Sequence, residues 1–108
     1  MKVLAPKKSE KNVARILEDI LGCKWSLQIL AVIRKGVCRP GALTRSVGRL
    51  STKVLNERLN KMVRFGILVK HSFAEIPPRV EYNLTDFGLR IATILDEIEA
   101  LQKDIDLD

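Results

Sequence analysis

Apolar side chains recur every three or four residues through the first third of the chain, which predicts two consecutive helices. Asn12 is a suitable cap for the first helix, and Gly22 ends its pattern. The apolar positions between them are Val13, Ile16, Leu17, Ile20 and Leu21. The second helix is predicted from Lys24 to about Arg34, before Gly36, and its wide apolar surface places it near the centre of the core. That surface consists of Trp25, Leu27, Ile29, Leu30 and Ile33.

Two further helices, separated by a turn, are predicted in the middle of the chain. Pro40 suits the first turn of a short helix that reaches about residue 47, and the three residues before it leave room only for a short strand. Gly48 breaks this helix. Ser51 can cap the next one, which extends to about residue 65 and ends at Gly66.

After Gly66 the pattern changes from helical to alternating. Residues 67–73 and 79–84 are predicted to be two strands, joined by a turn over 74–78 that contains two prolines. Thr85 can cap a long last helix over about 86–107. Its apolar positions are Leu89, Ala92, Leu95, Ile98, Leu101 and Ile105. The order of elements predicts a mainly α domain with a small β-hairpin, which is a winged helix-turn-helix over residues 12–108, preceded by a flexible basic arm over 1–11.

The helix that follows Ser51 has one apolar and one polar side. At 100° per residue, Leu55, Leu59 and Met62 fall on one side and are expected to face the core. The opposite side carries Lys53, Asn56, Glu57, Asn60 and Arg64. Amides and ammonium groups suit base edges and phosphates, so this segment, about 51–65, is the candidate recognition helix for the major groove of DNA. An ordinary solvated helix face is the alternative interpretation of these residues. A winged-helix module that binds protein or RNA without major-groove readout is the alternative function.

Other candidate DNA contacts flank that helix. Ser51 and Thr52 can offer hydroxyl and free N–H groups to a phosphate at the helix N-terminus. The predicted wing, about residues 70–82, carries Lys70 and Arg79, which could reach a phosphate or the minor groove. Surface charge without a DNA contact is the alternative for Arg79. The same two interpretations hold for the cations around the short helix, Arg39, Arg45 and Arg49.

Charge is distributed unevenly along the chain. The net charge is +6, yet residues 1–85 contain 17 Lys and Arg against 6 Asp and Glu, whereas residues 86–108 contain 2 against 7. A basic body with an acidic last helix favours a polyanionic partner such as double-stranded DNA, although solubility alone could explain it.

Composition also narrows the class of protein. No apolar run approaches the roughly 18–20 residues of a membrane helix, and the N-terminus does not resemble a secretory signal, so we expect a cytoplasmic protein with no membrane partner. The sequence contains no nucleophile paired with a histidine, no metal-ligand spacing and no phosphate-binding glycine loop, so we expect no enzyme activity, no metal and no cofactor. Cys23 and Cys38 are expected to be reduced structural thiols, with oxidant sensing as the alternative.

The last helix has more apolar surface than one core-facing row requires. Burying the surplus against a second copy would remove it from water at roughly 25 cal/mol per Å². The expected homodimer interface consists of Ile91, Ile94, Leu95, Ile98 and Leu101. Packing of the surplus on the first helix of the same chain is the alternative.

Several short motifs together resemble a known family. They are Gly22-Cys23-Lys24-Trp25, then the segment Val54-Leu55-Asn56-Glu57-Arg58-Leu59, and then the stretch from Ile76-Pro77-Pro78-Arg79-Val80-Glu81-Tyr82 to Asn83-Leu84-Thr85, with Gly88 beyond it. In this combination the chain resembles the HxlR-type winged-helix regulators, relatives of the MarR group, over about residues 12–100.

The resemblance implies a homodimeric transcription regulator whose terminal helices form the dimer interface. It places Thr52, Lys53, Asn56 and Asn60 on the recognition helix and Arg79 on the wing. A small-molecule or redox effector is possible in such a family, but this sequence does not support one. Asn12 stands about where many members have a reactive cysteine, and Cys23 stands where the family usually has a glycine. Pro40 and Ala42 also depart from the common pattern at the start of the short helix.

Overall fold

The computed structural model describes residues 2–4, for which it defines the backbone, and residues 12–107. These residues form five helices and three strands, and the five helices and the two strands of the hairpin follow the predicted order. The elements are β1 (Lys2–Leu4), α1 (Val13–Gly22), α2 (Ser26–Arg34), α3 (Pro40–Val47), α4 (Thr52–Arg64), β2 (Leu68–Phe73), β3 (Arg79–Leu84) and α5 (Asp86–Asp106).

The predicted helix caps are confirmed. The side chain of Asn12 accepts a hydrogen bond from the backbone N–H of Arg15 at 3.0 Å, and Ser51 accepts one from Val54 at 3.1 Å. Thr85 accepts the same kind of bond at the start of α5. Each cap satisfies one of the backbone donors that a helix leaves unpaired at its N-terminus, so these local residues determine where α1, α4 and α5 begin.

The start of α2 differs from the prediction. Trp25 has φ of 79°, in the left-handed region, so the helix begins at Ser26 instead of Lys24. Arg58 Nε donates a hydrogen bond to the carbonyl oxygen of Lys24 at 3.1 Å and so ties this turn to α4. The Trp25 ring is half-buried against the core, as core packing requires, and the Lys24 ammonium lies 5.0 Å from the ring centre.

The three strands form one antiparallel sheet in the order β1-β2-β3. In the β2–β3 hairpin Phe73 is opposite Arg79 and Leu68 is opposite Leu84, and β1 pairs with the other edge of β2. The flexible arm predicted for residues 1–11 therefore differs from the structure at Lys2–Leu4, while residues 1 and 5–11 lie outside the described residues.

The short strand considered before α3 is absent, since residues 37–39 belong to no strand. The backbone N–H of Tyr82 nevertheless donates to the carbonyl oxygen of Cys38 at 2.8 Å. This single bond attaches β3 to the segment that precedes α3.

The buried core lies between the helices and one face of the hairpin. Its fully buried large side chains come from every described helix and from the start of β2, namely Ile16, Ile20, Ile29, Leu43, Leu55, Leu59, Ile67, Leu68 and Ile91. Gly88 permits the close approach of α5 to the hairpin, since a Cβ atom there would clash with the carbonyl oxygen of Ile67. The Thr85 hydroxyl donates to the carbonyls of Gly66 and Ile67, which fixes the same junction.

Candidate nucleic-acid interface

The two sides of α4 are placed as the sequence predicts. Leu55 and Leu59 are fully buried and Met62 is nearly so. The side chains on the opposite side are all exposed, and they are Lys53, Asn56, Glu57, Asn60 and Arg64. Ser51 and Thr52 are exposed at the N-terminus of the helix. The polar surface of α4 is therefore free of covering protein among the described residues.

Two contacts that periodicity does not reveal hold α4 to the body. Lys61 Nζ lies 2.8 Å from Oδ2 of Asp19 on α1, and Arg58 bonds the turn before α2 as described above. Asp19 also accepts a bond from the Cys23 thiol at 3.4 Å. Burial acts to raise the pKa of Asp19, but hydrogen bonds from Lys61 and Cys23 and the charges of Lys61 and Arg58 outweigh it, so this pKa lies below 3.8.

Arg79 makes several contacts within the wing, and the DNA contact considered for it stays a prediction. Its Nη2 lies 3.2 Å from Oε1 of Glu75, its Nε lies 3.6 Å from Oε2 of Glu81, and its guanidinium lies 4.0 Å from the ring centre of Phe73. The Nε atom is buried and has no hydrogen-bond partner among the described residues. Arg79 is therefore part of a cluster inside the wing.

Arg39 reaches the same carboxylate from the other side. Its Nε lies 3.6 Å from Oε2 of Glu81, so Glu81 bridges the residue before α3 and the wing strand. The Arg39 side chain is more than half exposed. The Arg39–Glu81 pair and the Tyr82–Cys38 backbone bond together make α3 and the wing one unit.

The remaining predicted cations differ in whether they contact other described residues. Arg45 and Arg49 are exposed at the end of α3 and in the turn after it, and neither makes an ion pair with a described residue. Lys70 lies over the ring of Tyr82, with 5.9 Å from Nζ to the ring centre. Burial raises the pKa of the Tyr82 hydroxyl. Arg45 and Arg49 are thus the flanking cations with free guanidinium groups.

The apolar residues of α5 divide into two groups. Ile91 and Leu95 are buried in the core of their own chain, which corrects the expectation that they face a partner. Helical periodicity places both residues on an apolar side of α5, but it does not show which neighbour covers them. Ile94, Ile98 and Leu101 remain exposed, as do Ile105 and Leu107. The outer half of α5 therefore presents a partly exposed apolar stripe, whose exposure increases from 37% at Ile94 to 62% at Leu101.

An ion pair joins the inner half of α5 to α2. Arg34 Nη1 lies 2.6 Å from Oδ1 of Asp96. The hydrogen bond from Arg34 holds the pKa of the Asp96 carboxyl below its usual value, and the same bond raises the pKa of Arg34. This exposed contact links α5 to α2 in addition to the buried Ile91 and Leu95.

Metal ions, membranes and reactive thiols would each require other features in the described residues. Within them, His, Cys, Asp and Glu form no group of three or more suited to a metal ion. No described helix combines the length and apolarity needed to span a bilayer. Cys23 and Cys38 are both unpaired and half-buried, and the polar neighbour of Cys23 is a carboxylate.

Comparison with known proteins identifies the family. A model of the HxlR-like helix-turn-helix family matches residues 20–106. The chain belongs to the HxlR-like helix-turn-helix family. The resemblance seen in the Lys-Trp, Asn-Glu-Arg and Pro-Pro-Arg motifs is thereby confirmed.

Curated relatives of this HxlR-like chain are transcriptional regulators. An uncharacterized HTH-type transcriptional regulator from Synechocystis is 40% identical over 86 residues, which cover 80% of this chain and 64% of the relative. The regulator YvaP from Bacillus subtilis is 36% identical over 80 residues, which cover 74% of each chain. The chain spans less than two thirds of the Synechocystis protein and 60% of a relative from Methanothermobacter thermautotrophicus.

Solved structures show the same winged helix-turn-helix fold. Diamide-treated YodB from B. subtilis matches with a TM-score of 0.74 and 27% identity, covering 83% of this chain and 89% of YodB. A protein assigned to the MarR family, from Enterococcus faecalis V583, matches with a TM-score of 0.79 and 28% identity, covering 94% and 90%. The fold class predicted for this HxlR-like chain is therefore confirmed, and its relatives are regulators rather than enzymes.

Proposed function

We propose that this chain is a sequence-specific transcriptional regulator that binds double-stranded DNA with α4 in the major groove. The observation that carries the proposal is that one side of α4 is buried and the other is exposed. Leu55 and Leu59 are buried completely, so the helix cannot rotate, while Lys53, Asn56 and Asn60 stay exposed on its outer side. Asn can pair with adenine through two hydrogen bonds, and Lys can reach guanine or a phosphate.

The residues around α4 supply contacts to the DNA backbone. Ser51 and Thr52 lie at the helix N-terminus, where free N–H groups and the positive end of the helix dipole favour a phosphate. Arg45 and Arg49 are exposed cations next to that terminus, and Arg39 is more than half exposed beside Glu81. These contacts orient the protein on the duplex, while the α4 side chains read the bases.

The active form in this proposal is a homodimer that associates through α5. Ile94, Ile98 and Leu101 form a stripe at spacings of four and three residues, and the described part of the chain leaves this stripe partly exposed. A two-fold axis through such an interface would place two α4 helices in successive major grooves, about 34 Å apart.

The test is selection of DNA from a random pool with the wild-type chain, followed by binding measurements on the selected duplex. The double variant Lys53→Ala/Asn56→Ala should lose its preference for that duplex over an unrelated one but keep the wild-type melting temperature. Arg90→Ala, which removes an exposed cation from α5, is the matched control and should keep the preference. Unchanged preference in the double variant would exclude α4 as the reader.

An RNA duplex of the selected sequence serves as a competitor in the same assay. If the protein instead used this fold to bind RNA or another protein, the RNA duplex would compete equally or no DNA would be enriched. Affinity should also decrease steeply with salt, because each neutralised phosphate releases counterions.

A further inference from the structure

The wing cluster holds the Arg79 guanidinium by stacking and ion pairs within the protein. This guanidinium stacks on Phe73 and pairs with the carboxylates of Glu75 and Glu81, at the distances given above. The side chain is only 31% exposed. A move to a DNA phosphate would break the stacking and both ion pairs, so the cluster favours the position that Arg79 already occupies.

The same cluster carries no net charge. Arg39 and Arg79 are balanced by Glu75 and Glu81, and Glu81 contacts both arginines. Attraction to the DNA backbone depends on uncompensated Lys and Arg. The charges of Arg39 and Arg79 are therefore compensated within the cluster, whereas those of Arg45 and Arg49 beside α4 are not compensated by any described residue.

The tip of the wing is exposed, and its last three residues, Ile76, Pro77 and Pro78, are apolar. Every residue from 74 to 78 is exposed, and Ile76 is exposed completely. Pro77 and Pro78 have fixed φ angles and no N–H donor, so ordering them costs little entropy. Isoleucine and proline are among the apolar residues that proteins place in the minor groove of DNA.

The tip also lies on the side of the molecule where the proposed duplex would be. A cleft of about 370 Å³ separates it from the start of α3, with Arg39 and Pro40 on one wall and residues 75–80 on the other. The first helix of a helix-turn-helix crosses the DNA backbone while the second enters the major groove. A tip beside α3 is therefore next to the expected path of the backbone.

We propose that Ile76, Pro77 and Pro78 make the contact of the wing with the minor groove, and that Arg79 is a positioning residue that holds this tip through Phe73 and Glu75. The proposal rests on the proposed function, since it requires a bound duplex. It assigns to Arg79 a role different from a phosphate contact, and the two roles differ in their dependence on salt.

The experiment measures affinity for the selected duplex at several salt concentrations, with the full chain. Ile76→Ala should weaken binding about tenfold with an unchanged salt slope, because it removes apolar contact and no charge. Arg79→Gln should weaken binding to a similar extent, also with an unchanged slope. Arg45→Gln is the control for a phosphate contact and should reduce the slope by about 0.9 per bound subunit.

Two further variants separate positioning from charge. Arg79→Lys keeps the charge but loses the planar guanidinium, which stacks on Phe73 and pairs with both carboxylates. This variant should therefore bind the duplex as weakly as Arg79→Gln. The double variant Ile76→Ala/Arg79→Gln should bind within about twofold of the weaker single variant, since both changes disable the same contact. Melting temperatures verify that each variant is folded.

The contrary outcomes are equally specific. Wild-type binding by Ile76→Ala would overturn the role of the tip. A reduced salt slope in Arg79→Gln, together with wild-type affinity in Arg79→Lys, would show that Arg79 contacts a phosphate and would overturn the positioning role. If the wild-type chain selected no DNA at all, the proposed function would fail and this inference with it, whereas failure of the tip variants alone leaves the role of α4 intact.

Discussion

Lys61 Nζ lies 2.8 Å from Oδ2 of Asp19, and this ion pair joins the last turns of α4 to α1. The two residues are 42 positions apart in the sequence. The ion pair and the hydrogen bond from Arg58 to the Lys24 carbonyl are two polar attachments of α4, the helix that we propose reads DNA. The orientation of that helix thus depends on polar contacts as well as on its buried leucines.

Asp19→Asn should destabilise the fold by about 0.5–1 kcal/mol at neutral pH, because the pair with Lys61 is partly solvent-exposed. The pKa of Asp19 is lower in the folded chain than its usual 3.8, so its contribution is present above that value and is lost as pH decreases through the lowered pKa. Urea unfolding at pH 7 and at about pH 3 measures the difference. Glu18→Gln, an exposed neighbour on α1, should have little effect at either pH, and equal effects of the two variants would argue against the pair.

Gly88→Ala should cost about 3 kcal/mol of unfolding free energy, because the new Cβ meets the backbone carbonyl of Ile67, which cannot move aside as a side chain could. Gly22→Ala is the matched control, since a Cβ there has no neighbour within 4 Å. It should change the unfolding free energy by less than about 0.5 kcal/mol, because Gly22 is the last residue of α1 and helix propensity counts most in a helix interior. Thermal unfolding of both variants decides the matter, and a tolerated Gly88→Ala would mean that α5 lies farther from the hairpin.

Leu55→Ala and Asn56→Ala are adjacent changes on opposite sides of α4 and should act on different properties. Leu55→Ala should lower stability by about 2–5 kcal/mol, because it leaves a cavity in the core. Asn56→Ala should change stability by less than about 0.5 kcal/mol and yet weaken binding to the selected DNA. Unfolding and binding assays on both proteins test this separation, which a destabilising Asn56→Ala would contradict.

Ile98→Glu should convert the protein from a dimer to a monomer at micromolar concentration, because it places a carboxylate within the exposed stripe of α5. Light scattering measures the mass directly. Ala100→Glu adds the same charge at an exposed position about 120° away from the stripe and should leave the dimer intact. A wild-type chain that is already monomeric would refute the dimer.

The sequence was most informative where structure depends on near neighbours in the chain. Asn12, Ser51 and Thr85 marked the starts of their helices because a cap bonds a backbone group only three residues away. The inner and outer sides of α4 followed from the period of the helix. The start of α2 was harder to predict from the sequence, because the left-handed turn at Trp25 is stabilised by Arg58 from another helix.

The sequence by itself determined the order of the helices and of the hairpin strands, the exposed surface of α4 and the family. Periodicity, caps and motifs depend only on residues that are close together in the sequence. Only the tertiary structure decided that Arg79 contacts Phe73, Glu75 and Glu81. It also decided that Ile91 and Leu95 belong to the core, whereas Ile98 is exposed. The reason is that a residue type specifies what a side chain can contact. Which partner it meets depends on how distant segments pack, and no local pattern contains that information.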